Sequence, residues 1–144
     1  MEAVILECGD FPKKEYPREL LRRADVIICC DRALDTFLRH RDKIFKDLRD
    51  PDAIIGDMDS ISPKHLKEYS RIAIREEEQE TNDQTKAFRY LLEHWPEVKT
   101  VHILGATGKR EAHTLGNLGQ IMEYARLYGA SGNPDEDRIY VDAV

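Results

Sequence analysis

The chain has 144 residues, of which 41% are hydrophobic and 35% charged, and its formal net charge is −6. This length is typical of one globular domain, and the acidic balance argues against general nucleic-acid binding, which uses a basic face. No apolar run approaches the ~18–20 residues that cross a bilayer, and the acidic first residues do not suit a secretory signal. Three cysteines, two of them adjacent, make no disulfide framework. We therefore expect a cytoplasmic protein that binds neither membranes nor nucleic acid.

Short apolar runs alternate along the chain with segments of helical spacing. The runs predict strands at residues 3–6, 26–30, 53–55, 72–74, 101–104 and 139–141. The other segments predict helices at residues 16–23, 32–47, 62–69, 82–95 and 113–128, with Ser62 as the cap of the third. Several runs are apolar on consecutive residues, which is typical of strands covered on both faces. The alternation predicts an α/β fold: a doubly wound, mainly parallel sheet of about six strands with helices on both faces.

The loop after the third predicted strand carries two aspartates. Ligands of such sheets bind beyond the carboxyl ends of the strands, and Gly56 permits a tight exit from this one. If the loop is extended, Asp57 and Asp59 project to one side, and Ser60 adds a hydroxyl. Mg²⁺ typically takes one or two carboxylates together with waters and substrate phosphates. The alternative is that these residues simply form a turn.

The loop before the fourth predicted helix allows two interpretations. Thr81 or Asn82 can cap that helix, and Asp83 in its first turn then complements the helix dipole. Alternatively, Asp83 faces the same cleft as the earlier aspartates, and Lys86, one turn further on, reaches a phosphate. From the residues alone the capping interpretation is favoured.

The loop after the fifth predicted strand, residues 105–114, leads into a helix. Its two glycines and two basic residues are typical of an anion site at a helix N-terminus, because free N–H groups and the dipole attract negative charge. Lys109 and Arg110 add charge, and an arginine can fork onto phosphate oxygens. The glycine spacing differs from that of the common nucleotide phosphate loop. In the alternative interpretation, His113 and Thr114 serve only as caps.

Two further features follow the second predicted strand. Asp31 stands at the strand end, as a ribose or metal contact or as a helix cap. Cys29 and Cys30 are interpreted as buried strand residues without a nucleophilic role. Four histidines without metal-ligand spacing are interpreted as structural or exposed: His40, His65, His94 and His102.

Three segments in this order resemble those of the thiamine pyrophosphokinase (thiamine diphosphokinase) family. IIGDMDSI (residues 54–61) is similar to Ile-Gly-Asp-Phe-Asp-Ser, and QETNDQTKA (79–87) is similar to Gln-Asp-x-Thr-Asp-x-x-Lys-Ala. LGATGKREAHTLGN (104–117) resembles Gly-Ala-x-Gly-Gly-Arg-x-Asp-His-x-x-x-Asn. Asp31 falls at the first residue of the family's Asp-Gly-Gly-Ala-Asn segment. The resemblance spans nearly the whole chain.

This resemblance implies transfer of a pyrophosphoryl group from ATP to the hydroxyl of thiamine, giving thiamine diphosphate and AMP. It implies that Asp57, Asp59 and Asp83 hold Mg²⁺ and act in catalysis together with Arg110, since such catalysis is mostly positioning and electrostatics. The carboxylate that would receive the hydroxyl proton is left open. Further contacts to ATP are implied at Asp31, Ser60, Gln79, Thr81, Lys86, Gly105, Gly108, His113 and Asn117.

The resemblance also implies a domain arrangement. Family members are expected to have an N-terminal α/β domain and a C-terminal β-sandwich domain, and to form homodimers that bind thiamine between subunits. Residues 1–144 would be the first domain alone, with the β-sandwich absent. This domain would keep the nucleotide and metal site and lack most of the thiamine pocket.

Four positions depart from the family pattern. Lys109 replaces a glycine, Arg32 stands where glycine is usual, and Asp35 stands where asparagine is usual. Ala112 stands where the family carries one of its active-site aspartates, so we hypothesise that catalysis is weakened or altered there. Two other functions are therefore considered: a nucleotide-binding module without turnover and a metal-dependent phosphoesterase.

Overall fold

The computed structural model describes residues 1–76, 83–105 and 140–144. The strands in these ranges are β1 (Glu2–Leu6), β2 (Val26–Cys30), β3 (Ala53–Gly56), β4 (Ala73–Arg75), β5 (Thr100–Leu104) and β6 (Tyr140–Ala143). The helices are α1 (Glu15–Arg23), α2 (Ala33–Ile44), α3 (Pro63–Glu68) and α4 (Asp83–His94), with a short 3-10 helix at Ser70–Ile72. The helix predicted at residues 113–128 lies outside the described ranges. No helix in the described part of the chain has the length and apolar character needed to cross a membrane.

The described strands form one sheet in the order β4-β3-β2-β1-β5-β6. All neighbouring pairs are parallel, which confirms the predicted α/β fold with a parallel sheet. The strand order reverses between β1 and β5. Such a reversal opens a crevice beyond the carboxyl ends of the strands, where sheets of this type bind ligands.

Two apolar clusters cover the two faces of the sheet. α1 and α2 pack on one face, where Leu21, Phe37 and Val4 of β1 belong to one cluster. α4 packs on the other face, where Phe88 and Leu91 belong to the second cluster. All five residues of β2 are buried, as the consecutive apolar run predicts. Each large side chain buried in this way contributes about 1.5–3 kcal/mol relative to an exposed one.

The structure corrects two predicted boundaries and one predicted capping contact. α2 ends at Ile44 instead of residue 47, because Phe45 turns to an extended conformation and Leu48 adopts φ 51°. β4 begins at Ala73, because Ile72 belongs to the 3-10 helix. Ser62 precedes α3 as predicted, but its side chain makes no capping hydrogen bond.

The backbones of β1 and β5 approach closely at the reversal of strand order. The Glu7 N–H donates to the carbonyl oxygen of Leu104 at 2.8 Å, and the Gly9 N–H donates to that of Gly105 at 2.8 Å. Gly105 has φ +74°, and a Cβ placed on it would lie 2.5 Å from the Glu7 carbonyl oxygen. Only glycine fits this position without a shift of the backbone.

We therefore expect Gly105→Ala to destabilise the fold by at least about 2 kcal/mol, because it combines left-handed strain with a backbone clash. Urea denaturation followed by circular dichroism measures this free energy of unfolding. A change within about 0.5 kcal/mol would contradict the close approach.

Candidate functional site

Four carboxylates lie at the carboxyl ends of the parallel strands, and we call this side of the sheet the acidic edge. Glu7 follows β1, Asp31 follows β2, Asp57 follows β3, and Asp83 begins α4. Because the strands are parallel, their carboxyl ends share this edge. The charges act on one another: Asp57 and Asp83 raise the pKa of Asp31, and Asp83 raises that of Glu7. The structure thus brings together three of the predicted site residues and adds Glu7.

Asp31 is held in an unusual backbone conformation. It has φ 51°, and its N–H donates to the Ile55 carbonyl oxygen at 2.7 Å, which ties it to the end of β3. Gly56 makes room for it, since a Cβ there would lie 3.0 Å from the Asp31 Cβ. The side chain of Asp31 is therefore placed by two neighbouring strands rather than by the helix that it precedes.

The Asp31 carboxyl lies in negative surroundings. Burial, followed by the charges of Asp57 and Asp83, raises its pKa to about 6, while a hydrogen bond from Ser60 acts in the opposite direction. Its Oδ1 atom is buried and has no hydrogen-bond partner among the described residues. A buried carboxylate oxygen without a donor is costly, and a cation would relieve that cost.

Residues 57–62, which we call the aspartate loop, form a turn rather than an extended segment. Met58 has φ 71° and buries its side chain, and the Asp57 carboxylate accepts the Asp59 N–H at 3.0 Å. The loop therefore adopts the turn that was the alternative interpretation, and Asp57 and Asp59 do not project from an extended segment. Asp57 is half-buried and interacts with Asp31, whereas Asp59 and Ser60 are exposed. The Asp57 carboxylate thus accepts a hydrogen bond within the turn and also interacts with Asp31 at the acidic edge.

Asp83 interacts both with its own helix and with charged neighbours. It lies in the first turn of α4, where a negative charge complements the dipole. Burial and the charge of Asp57 raise its pKa, and the Lys86 ammonium group lowers it. Lys86 is only 7% exposed, and its Nζ donates to the Glu76 carbonyl oxygen at 3.3 Å. The described part of the site therefore pairs this acidic edge with one buried cation.

Glu7 is the site residue that sequence reasoning missed. Burial, followed by the charge of Asp83, raises its pKa from 4.5 to about 7. Along β1, Ala3 and Ile5 belong to the cluster under α4, so residue 7 continues that face. The signal was present in the sequence, as an acidic residue placed directly after the first apolar run.

Six predicted site residues lie outside the described ranges: Gln79, Thr81, Gly108, Arg110, His113 and Asn117. Ala112 lies outside them as well. Within residues 1–76, 83–105 and 140–144, no three His, Cys, Asp or Glu side chains converge as a preformed metal cage. The donor chemistry nevertheless fits Mg²⁺, which needs only one or two protein carboxylates and takes its other ligands from water and phosphate.

Two cysteines and two histidines have structural surroundings. Cys29 and Cys30 are buried as predicted, and burial raises the pKa of both thiols. Cys30 Sγ lies 3.7 Å from the Asp83 carbonyl oxygen, and this contact helps to fix the start of α4 against β2. His65 Nδ1 pairs with Asp35, and His102 Nδ1 pairs with Asp142.

The raised pKa of Glu7 predicts a pH-dependent loss of stability. The unfolded glutamate ionises near pH 4.5 and the folded one near pH 7, so the folded state loses stability as the pH rises between these values. Glu7→Gln mimics the protonated form. We expect this variant to be more stable than the wild type at pH 8 by on the order of 1–3 kcal/mol. Below pH 4.5 the two should be equally stable.

Urea denaturation at several pH values measures this difference. Glu93→Gln, an exposed position on α4, is the matched control and should follow the wild type at every pH. Equal stability of Glu7→Gln and the wild type at pH 8 would show that Glu7 is not buried beside Asp83.

Comparisons with known proteins place this geometry in a family. Residues 17–128 match the family model described as "Thiamin pyrophosphokinase, catalytic domain". No curated protein sequence gives a significant match.

Several solved structures share the fold. A probable thiamine pyrophosphokinase from Staphylococcus saprophyticus superposes with a TM-score of 0.66 at 23% identity, covering 100% of this chain and 65% of that one. The thiamin pyrophosphokinase from Candida albicans gives 0.62 at 21% identity, with 99% and 58% covered. The yeast enzyme gives 0.67 at 18% identity, also with 99% and 58% covered.

The chain thus spans about three fifths of the length of these solved proteins. At these identities the superpositions show a shared fold. The family match covers most of the chain, including Asp31, Asp57 and Asp83, whereas Glu7 precedes the matched residues. The chain therefore belongs to the thiamin pyrophosphokinase catalytic-domain family.

Proposed function

We propose that this chain is the ATP- and Mg²⁺-binding catalytic domain of a thiamine diphosphokinase. The reaction transfers the pyrophosphoryl group of ATP to the hydroxyl of thiamine. The hydroxyl oxygen bonds to the β-phosphorus, the bond from that phosphorus to the AMP oxygen breaks, and the hydroxyl proton is released. The products are thiamine diphosphate and AMP.

The observation that carries the proposal is the meeting of Asp31, Asp57 and Asp83 at one strand edge in a member of this family. Burial and the charge of Asp57 raise the pKa of Asp31 and of Asp83, and one Asp31 oxygen has no donor among the described residues. Such an arrangement costs stability and is typical of functional sites. A bound cation would stabilise all three carboxylates.

Asp57 and Asp83 would hold Mg²⁺ in this proposal, with Asp59 contributing from the exposed part of the aspartate loop and Asp31 from β2. Bound Mg²⁺ would neutralise charge on the phosphates during transfer. Lys86 lies beside Asp83, where an ammonium group can act on the same phosphates. From outside the described residues, Arg110 would add a second cation.

Three broader features belong to the same proposal. The chain would act as the first domain of a longer protein, because it covers about three fifths of the solved relatives. It would work as a homodimer, with thiamine bound between subunits. Its free cysteines in the described structure suit a reducing cytoplasm.

Isothermal titration of the chain with ATP and Mg²⁺ tests the site. We expect Mg²⁺-dependent binding that the double variant Asp57→Ala, Asp59→Ala weakens at least about tenfold, or about 1.4 kcal/mol. Asp42→Ala, which removes an exposed carboxylate from the far half of α2, is the control and should bind like the wild type. Undiminished binding by the double variant would exclude this loop as the metal site.

Turnover separates the three candidate activities. AMP formed from ATP only when thiamine is present supports the transferase. ATP binding without AMP formation supports a binding module, and phosphate release from simple esters supports a phosphoesterase.

The variant Ala112→Asp restores the family residue, so in a full-length background it should raise the rate of pyrophosphoryl transfer if residue 112 limits it. An unchanged rate would contradict the hypothesis of weakened catalysis.

A further inference from the structure

One short segment of the chain contacts both ends of the aspartate loop. Asp31, just before α2, lies against Gly56, which directly precedes the aspartate loop. Asp35, in the first turn of α2, contacts the other end of the loop at Ser62. The two carboxylates thus hold the loop at its beginning and at its end.

Each oxygen of the Asp35 carboxylate takes part in one hydrogen bond. Oδ2 accepts the Ser62 N–H at 3.0 Å, and Oδ1 contacts His65 Nδ1 at 2.5 Å. Ser62 lies at the N-cap of α3 and His65 lies within that helix, so the Asp35 carboxylate bonds to two positions at the start of α3. The side chains of Asp35 and His65 are 21% and 28% exposed, so water competes only in part for these bonds.

Apart from Leu66, which packs against the first apolar cluster, α3 has few contacts that fix its position. It has six residues, none of which is buried, and its N-cap side chain makes no capping hydrogen bond. The loop itself is held by the buried side chains of Met58 and Ile61. Those apolar contacts place the middle of the loop, whereas the backbone direction at its end depends on Asp35.

The Asp35 contact borders open space rather than the core. Asp35, Ser62 and His65 line an open cavity of about 400 Å³ together with Leu38 and Arg39. Removing the Asp35 carboxylate therefore enlarges this solvent-filled cavity and leaves both apolar clusters intact.

We propose that Asp35 is a positioning residue: by holding Ser62 and His65, it fixes the aspartate loop so that Asp57 faces Asp31 and Asp83. This inference rests on the proposed function, in which those aspartates bind Mg²⁺ and ATP. It gives a role to residue 35, one of the four positions that depart from the family pattern, through the side-chain oxygen that accepts the Ser62 N–H.

Two variants separate the two bonds. Asp35→Ala removes both, whereas Asp35→Asn keeps an oxygen that can accept the Ser62 N–H. We expect Asp35→Ala to weaken Mg²⁺-dependent ATP binding at least about tenfold, and Asp35→Asn to restore binding to within about threefold of the wild type. Asp42→Ala on the same helix is the matched control and should leave binding unchanged.

A second readout does not depend on any ligand. Amide hydrogen exchange should accelerate at Ser62 and Asp59 in Asp35→Ala, and should remain slow in the core strand β2. If the wild type binds no ATP but exchange accelerates as expected, the proposed function fails and the positioning role stands. If Asp35→Ala leaves both exchange and binding unchanged, or if exchange accelerates equally in β2, the positioning role is overturned.

Discussion

The pairing of β1 with β2 on one side and with β5 on the other is the interaction on which the site depends. Val4 pairs with Ile27 in β2 and with His102 in β5, and all three strands run in the same direction. This shared direction makes the carboxyl ends of the strands meet at one edge. The strand order reverses beside β1, because β2, β3 and β4 follow on one side of it, whereas β5 and β6 follow on the other side. The acidic edge and the crevice beside it follow from this hydrogen-bonded ladder.

The arrangement opposes folding locally and is sustained by the rest of the molecule. Carboxylates from three strand ends and a helix start are held close enough that repulsion and burial raise the pKa of Glu7 to about 7 and that of Asp31 to about 6. Two apolar clusters on the faces of the sheet supply the compensating stability. Substitutions that relieve the repulsion would stabilise the chain and weaken any cation site, which is the usual conflict between stability and function.

Sequence patterns predicted the fold well because its causes are local and repetitive. The consecutive apolar residues of β2 and the helical spacing of Phe88 and Leu91 in α4 are visible without any tertiary information. Boundaries were less accurate, because the ends of elements depend on single residues such as Leu48, with its left-handed backbone.

The candidate site was predictable only in part. Asp31, Asp57 and Asp83 each follow or precede a predicted element, so a parallel sheet alone suggests that they converge. The turn at Met58 was one of two interpretations of its loop, and the local sequence could not decide between them because it does not show that the Met58 side chain is buried. The bond between Asp35 and His65 joins residues 30 positions apart, and no local pattern indicates it.

The position of β1 in the sheet has a consequence for the order of folding. Strands β1 to β4 are neighbours both in sequence and in space, whereas Glu2 must also pair with Thr100 of β5. Contacts between distant segments form slowly, because loop-closure entropy must be overcome before they contribute. The half of the sheet that carries Asp31 and Asp57 can therefore assemble first, and the crevice beside Glu7 closes only when β5 docks. Because Glu7, Asp31, Asp57 and Asp83 all belong to elements that precede β5 in the chain, the acidic groups come together with this half and are enclosed only when β5 docks.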